Sequence, residues 1–231
     1  MGCEMIKTTW ITLLALTVVG AAAVSAGAQT PGQPDAPAQV PPQMFVTEET
    51  CLPCHNNLVT RSGQDVSIGS DWQVSMMAHS SKDPYWQASV RREVLAHPEA
   101  KEEIQDECAA CHMPMARYRA KASGRKGKIF AHLPVGPGGG HADRLAEAGV
   151  SCTMCHQIQE EGLGEERSFT GGFVVDTAQP LGGREIFGPF DVDPGRTRLM
   201  QSPAAYRPPK AEHVQPADRC ASSHTLYTHT R

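Results

Sequence analysis

Three stretches of this chain repeat one pattern: Cys51-Leu-Pro-Cys54-His55, Cys108-Ala-Ala-Cys111-His112 and Cys152-Thr-Met-Cys155-His156. Two thiols a helical turn apart with an imidazole directly after them is the arrangement that attaches a c-type haem. The sulfurs can form thioethers with the two vinyl groups, and the histidine turns a ring nitrogen toward the iron as proximal ligand. With 10 His in 231 residues, finding His after all three Cys pairs by accident has odds on the order of one in ten thousand. Thiol redox centres or a zinc ribbon built from the first two motifs would use the cysteines but give no reason for the histidines.

A fourth copy is damaged. Cys220-Ala-Ser-Ser223-His224 has Ser where the second Cys belongs. A single thioether to Cys220 with His224 on the iron is chemically feasible, but the plain reading is a lost site that leaves Cys220 as an unpaired thiol open to oxidation. Distal iron ligands must come from elsewhere. His79, His141 and His213 are the candidates; Met76 competes with His79, and His132 competes with His141 across the same glycine-rich loop. Setting aside the three motif histidines and His224 leaves six of the 10 His for three distal positions, so bis-His ligation is available throughout. Such ligation leaves no open iron site and favours lower potentials than Met/His ligation.

The elements needed to hold these groups follow from composition and periodicity. Leu, Ile, Val and Phe together make up only about 18 per cent of residues, below the level at which a chain usually builds its own core. The formal net charge is only -4, which argues against plain disorder and against a polyanion-binding role. Nucleic acid is therefore not an expected partner. A mainly α fold is expected, with extensive loops and little β, in which porphyrins fill the space that aliphatic side chains leave empty.

In chain order, residues 1–28 read as a signal peptide: Lys7, an apolar run from Trp10 to Val24, and Ala26-Gly27-Ala28 as the cleavage site. An uncleaved anchor is the competing reading and the sole route to a membrane. Residues 29–44 form a Pro-rich linker, and 45–231 the haem-binding domain. A helix is expected over Asp71–Ser80, bringing Trp72, Met76 and His79 onto one face. Asp83-Pro84 supplies an N-cap and a first-turn proline for a helix to Ala96. A further helix opens at Pro98 and delivers the second motif.

Met113-Pro114-Met115 is expected to be a turn. It is followed by a basic run, Arg117, Arg119, Lys121, Arg125, Lys126 and Lys128, read as a solvated loop, with propionate neutralisation or partner docking as sharper options. Ala142–Ala148 is expected to be helical, and Gly136–Gly140 lacks the flanks of a phosphate cradle. Gly172–Asp176 and Arg184–Phe187 suggest a small hairpin. A chain ending two residues after His229 reads as a fragment, or as a protein whose C-terminal part has been lost.

With these pieces assembled the chain resembles the bacterial multihaem cytochrome c family. The resemblance rests on the three motifs, on Trp72–Ala88 with Ser75-Met-Met-Ala78 and Asp83-Pro84, on Gly149-Val-Ser-Cys152 running through His156-Gln-Ile158, and on His213–Tyr227, where the family pattern would have Cys at 223. It implies an exported, periplasmic electron carrier holding three haem c groups, with the fourth in doubt, and with redox proteins as electron donor and acceptor. The alternative is a subunit or fragment of a multihaem oxidoreductase acting on a small nitrogen or sulfur compound. The sequence offers no specialised Cys-x-x-Cys-Lys motif for that role.

Overall fold

The structure is a computed structural model that describes residues 43–136 and 138–227. The signal peptide and nearly all of the linker lie outside the described residues, as do Cys3 and His229. The fold is mainly α. Its helices are α1 (Leu52–His55), α2 (Ile68–Gln73), α3 (Pro84–Ala96), α4 (Lys101–His112), α5 (Pro114–Lys121), α6 (His141–Glu147), α7 (Cys152–Cys155), α8 (Pro194–Ala204) and α9 (Ala217–His224). Two short strands, β1 (Arg184–Glu185) and β2 (Tyr206–Arg207), pair in parallel. Among the described residues no helix is long and apolar enough to cross a membrane.

Sequence chemistry accounts for the longest helices. The Asp83 carboxylate accepts the Tyr85 amide at 2.9 Å, capping α3 ahead of Pro84. Trp86, Val90 and Val94 recur every fourth residue and are all buried, so they form one stripe along the helix. That stripe meets Ile104 and Ala109 of α4, Ala116 of α5, Ile129 and Ala146 of α6 in one apolar cluster. A second cluster on the other side of α5 and α6 joins Met44, Phe45, Met115, Tyr118, Leu145, Met154 and Phe173. Tyr118 stacks on Phe173 with centroids 5.2 Å apart, and its hydroxyl donates to the Phe173 carbonyl. The scarcity of branched aliphatics is thus met by Met, Ala and aromatic side chains, divided into small clusters. Each fully buried Met or Phe contributes about 1.5–3 kcal/mol.

Several local expectations are corrected. Met44, the last residue assigned to the linker, is 1 % exposed, and its carbonyl accepts from Tyr206 Oη and Gln157 Nε2. The helix expected over 71–80 is broken after Gln73. Residues 74–82 are turns closed by bonds such as His79 N to Met76 O and Ser80 N to Met77 O, and Met76 is 76 % exposed. Carbonyls of this stretch accept from distant groups, Met77 O from Val150 N at 3.1 Å and Ser80 O from the His112 ring at 2.7 Å. In a helix over 71–80 both would lie in the last turn, where carbonyls have no intrahelical partner, so these tertiary bonds fix the path of the turns.

The turn at 113–115 is confined to Met113. Pro114 occupies the first position of α5, where its missing N–H costs nothing, so Arg117, Arg119 and Lys121 are helical. The hairpin does not form. Arg184–Glu185 pairs with Tyr206–Arg207, while Val175 bridges Ile158.

Arg184 holds this second half of the chain together. It is 2 % exposed; its Nε donates to Gln157 Oε1 and its Nη1 to Gln179 O, each at 2.6 Å, and Nη2 donates to the Asp176 carbonyl. Arg184→Ala leaves the buried Gln157 Oε1 and two partly exposed carbonyls without this donor and is expected to cost about 1–3 kcal/mol, measured as a lower Tm and urea midpoint.

Candidate haem centres

The first motif is α1 with half-buried Cys51 at its N-cap position, and Cys54 and His55 face solvent. The amide and hydroxyl of Ser70 in α2 both donate to Asn56 Oδ1, at 3.3 and 3.1 Å, which fixes α2 against the motif. From here to Met77 the surface is unusually apolar: Leu58, Val59, Val66, Ile68, Val74, Met76 and Met77 are all exposed.

The second motif ends α4. The His112 ring lies flat on Trp86 of α3, centroids 4.1 Å apart and planes 7° from parallel. Its Nδ1 faces the Ser80 carbonyl at 2.7 Å. A carbonyl can only accept, so Nδ1 carries the hydrogen and Nε2 the lone pair. Burial lowers the His112 pKa from its usual value, which keeps the ring neutral and competent as a ligand. Trp86→Ala removes the platform and opens a cavity; a loss of about 3–5 kcal/mol is expected, read by thermal unfolding.

The third motif is α7. Thr153 Oγ1 donates to Val46 O at 2.7 Å, and Gln157 Nε2 to Met44 O at 2.9 Å, tying the motif to the first described residues. Here too the imidazole is oriented by a carbonyl: His156 Nδ1 donates to Phe187 O at 2.6 Å, and Phe187 N returns a bond to His156 O at 2.7 Å. Burial again lowers its pKa. Gly149, just ahead of the motif, has φ +58, and a Cβ there would stand 2.6 Å from Ser80 Oγ. Only glycine lets the approach to the third motif press against the loop that orients His112.

The fourth, damaged segment is helical α9. Cys220 is exposed and Ser222 buried, and the Ser222 carbonyl accepts from Gly171 N at 2.8 Å. The four segments lie against one another. The Cys51 and Cys152 thiols hydrogen-bond; that bond raises the Cys51 pKa and lowers that of Cys152 to about 7. Cys155 lies within reach of the charges of Arg219 and Cys220, while burial raises its pKa to about 11. The Cys111 thiol points at Ser223 O at 3.9 Å. Burial similarly raises Cys108 to about 11. All seven described cysteines are free thiols.

The distal candidates differ in what their Nε2 does. His79 Nε2 donates to Gln73 O at 3.0 Å and His213 Nε2 to Ile158 O at 2.9 Å, so each ring would have to release a carbonyl before binding iron. His141 Nε2 is buried without any partner. His132 turns Nδ1 to Asp143 Oδ1 at 2.8 Å, and His97 sits half-buried between Glu93 and Glu99.

The residues present fit haem. His112 and His156 each offer a neutral ring with Nε2 left by an oriented Nδ1–H, the arrangement usual for metal-binding imidazoles. Among the described residues the other buried side-chain N or O atoms without partners are Arg117 Nε and Arg219 Nη1; Arg219 lies near Cys155 of the third motif, where its donor suits a propionate. Among the described residues no group of three His, Cys, Asp or Glu side chains is arranged to hold a bare metal ion. Sequence reasoning missed Trp86, Ser80 and Phe187. The four-residue period of α3 marks Trp86 as inward-facing; the two carbonyls carry no sequence signal. Compared with known proteins, the chain matches no family model, no curated protein and no solved structure.

Proposed function

We propose that the chain is an exported, periplasmic multihaem c-type cytochrome that passes single electrons between a donor and an acceptor protein. It holds three haem c groups, on Cys51/Cys54, Cys108/Cys111 and Cys152/Cys155, with the porphyrins completing the core. The observation that carries the reading is that His112 and His156, each ending a Cys-x-x-Cys pair, both donate Nδ1–H to a backbone carbonyl and so present Nε2 as a free lone pair. The exposed apolar surface beside the first motif supports it further, since a porphyrin edge would cover such a surface.

Bound haem supplies one-electron chemistry at its iron. The protein's own part is to fix geometry. The cysteine pairs set where each macrocycle is tethered, Trp86 and the two carbonyls stop the imidazoles from rotating, and burial keeps those rings unprotonated. The mutual contact of the motif segments favours short separations between neighbouring centres. His79, His141 and His213 are the proposed distal ligands. Cys220 and His224 remain a fourth position that lacks one thioether.

The test is the intact mass and visible spectrum of the chain made in a cytochrome-maturing host. The proposal expects a coloured protein whose added mass equals three haems, low-spin in both oxidation states. A colourless, compactly folded product with its sulfurs in disulfides or on zinc would overturn it.

A further inference from the structure

A cavity of about 490 Å³ lies behind the second motif, walled by α4, α5 and residues 124–132. It does not belong to a haem tether. On α4 the lining residues are Ala109 and Met113; at about 100° per residue they sit roughly 150° around the helix from the mean direction of Cys108 and Cys111. None of the described cysteines lines it.

Its lining is strongly cationic on a chain whose net charge is -4: Arg117, Arg119, Arg125, Lys126 and Lys128, with the His132 ring beside them, face one carboxylate, Glu102. Carboxylates just outside partner three of them, Asp106 with Arg117, Glu103 with Lys126 and Asp143 with His132. Arg119, Arg125 and Lys128 make no ion pair among the described residues. Arg117 Nε is in addition a buried donor with no acceptor. The lining between the cations is apolar: Ala109, Met113, Ala116 and Ile129 pack beneath it almost fully buried, and Ala120, Ala131 and Ala142 present the accessible apolar surface. The volume falls in the range of small-molecule sites, which combine an apolar lining with a few convergent polar groups. Cations of one sign gathered around a concave surface raise the local potential and attract an anion, and the buried Arg117 Nε lacks the acceptor an anion would supply.

We propose that this cavity binds a small organic anion, an apolar body carrying a carboxylate or a similar oxyanion head. The body rests on Ala120, Ala131 and Ala142, and the head is held by Arg119, Lys128 and the free Nε of Arg117. Neither charge nor apolar area alone is sufficient, and that requirement separates this site from a basic docking patch.

The test is calorimetric titration of the full holoprotein with three probes: 2-naphthoate, 2-naphthalenemethanol as the same body without charge, and inorganic phosphate as charge without a body. Naphthoate is expected to bind at least tenfold more tightly than either of the others, and more weakly as salt rises. The double change Arg119→Glu with Lys128→Glu should weaken it tenfold or more. So should Ala120→Trp, which fills the cavity and leaves every charge in place. Arg198→Glu on α8 should leave it unchanged.

Haem content and helical circular dichroism report whether each variant folds. Phosphate binding as tightly as naphthoate, naphthoate binding that ignores both cavity changes, or no naphthoate binding to a fully folded holoprotein would each overturn the proposal. A haem-free product that still binds naphthoate with this pattern would sink the electron-transfer reading and leave the cavity assignment standing.

Discussion

Replacing Cys108 and Cys111 together by serine is expected to lower the covalent haem count from three to two, a loss of one third of the haem absorbance per chain. The change removes the nucleophiles of one motif at a modest packing cost. α4 is held by Ile104 and Ala109, buried at 4 % and 2 % exposure; Ile104 is one turn from Cys108 on the same face, and Cys108 packs against their cluster, where serine is close in size. His112 keeps its stacking on Trp86 and its bond to Ser80 O, so the proximal imidazole stays in place while the tether is lost. Serine oxygens do not add to vinyl groups as thiols do. Any haem still present at that site should therefore leave on denaturation, when only the covalent groups survive a haem-stained denaturing gel. The matching change at the damaged site, Cys220→Ser, should leave the count at three if that site is lost, as the plain reading of Ser223 has it. An unchanged count after the 108/111 replacement would mean that the motif does not tether haem, and would undo the assignment of all three.

Part of this arrangement could be read directly from residue order. Asp83-Pro84 announced α3, and the structure caps it with the Asp83 carboxylate. The same Asp-Pro pair stands at Asp193-Pro194, where Asp193 accepts from the Gly195 and Arg196 amides and opens α8. That helix went unread because Gly195 and Pro203 weigh against helix on propensity, a preference that tertiary context overrode. The segment after Gln73 failed in the opposite direction: its apolar spacing suits a helix, yet it forms turns whose Met77 and Ser80 carbonyls accept from Val150 and His112, far along the chain.

The site divides in a similar way. Cys and His spacing marks the proposed tethers and proximal ligands because that chemistry resides in side chains. The groups that orient His112 and His156 are main-chain carbonyls, and every residue has one. The parallel pairing of β1 with β2 was hidden for a related reason. Two-residue strands carry almost no periodic signal, and their partners are 22 residues apart, Arg184 with Tyr206 and Glu185 with Arg207.

The largest single-residue effect on the haem centres is expected from His141→Ala. The Nε2 of His141 is a buried polar atom with no partner, a state that costs about 1–3 kcal/mol if it persists. Iron binding through that nitrogen would remove the penalty. The ring is also kept neutral: burial, then the nearby charges of Arg119 and Arg144, lower its pKa, so no proton has to be displaced near neutrality. Its position is set by α6, whose first turn is closed by Gly140 N donating to Asp143 Oδ2 at 2.8 Å, while the other Asp143 oxygen accepts from His132.

Removing the imidazole should convert one of the three haems from six- to five-coordinate. The ferrous variant should then bind one carbon monoxide per chain where the wild type binds almost none, and a high-spin band should appear in the ferric spectrum. His79→Ala and His213→Ala offer an internal comparison, because their Nε2 hydrogens have carbonyl acceptors at Gln73 and Ile158. If carbon monoxide binds to those variants and not to His141→Ala, the ligand assignment moves to rings that must first break a hydrogen bond, and the unpartnered nitrogen of His141 loses its explanation.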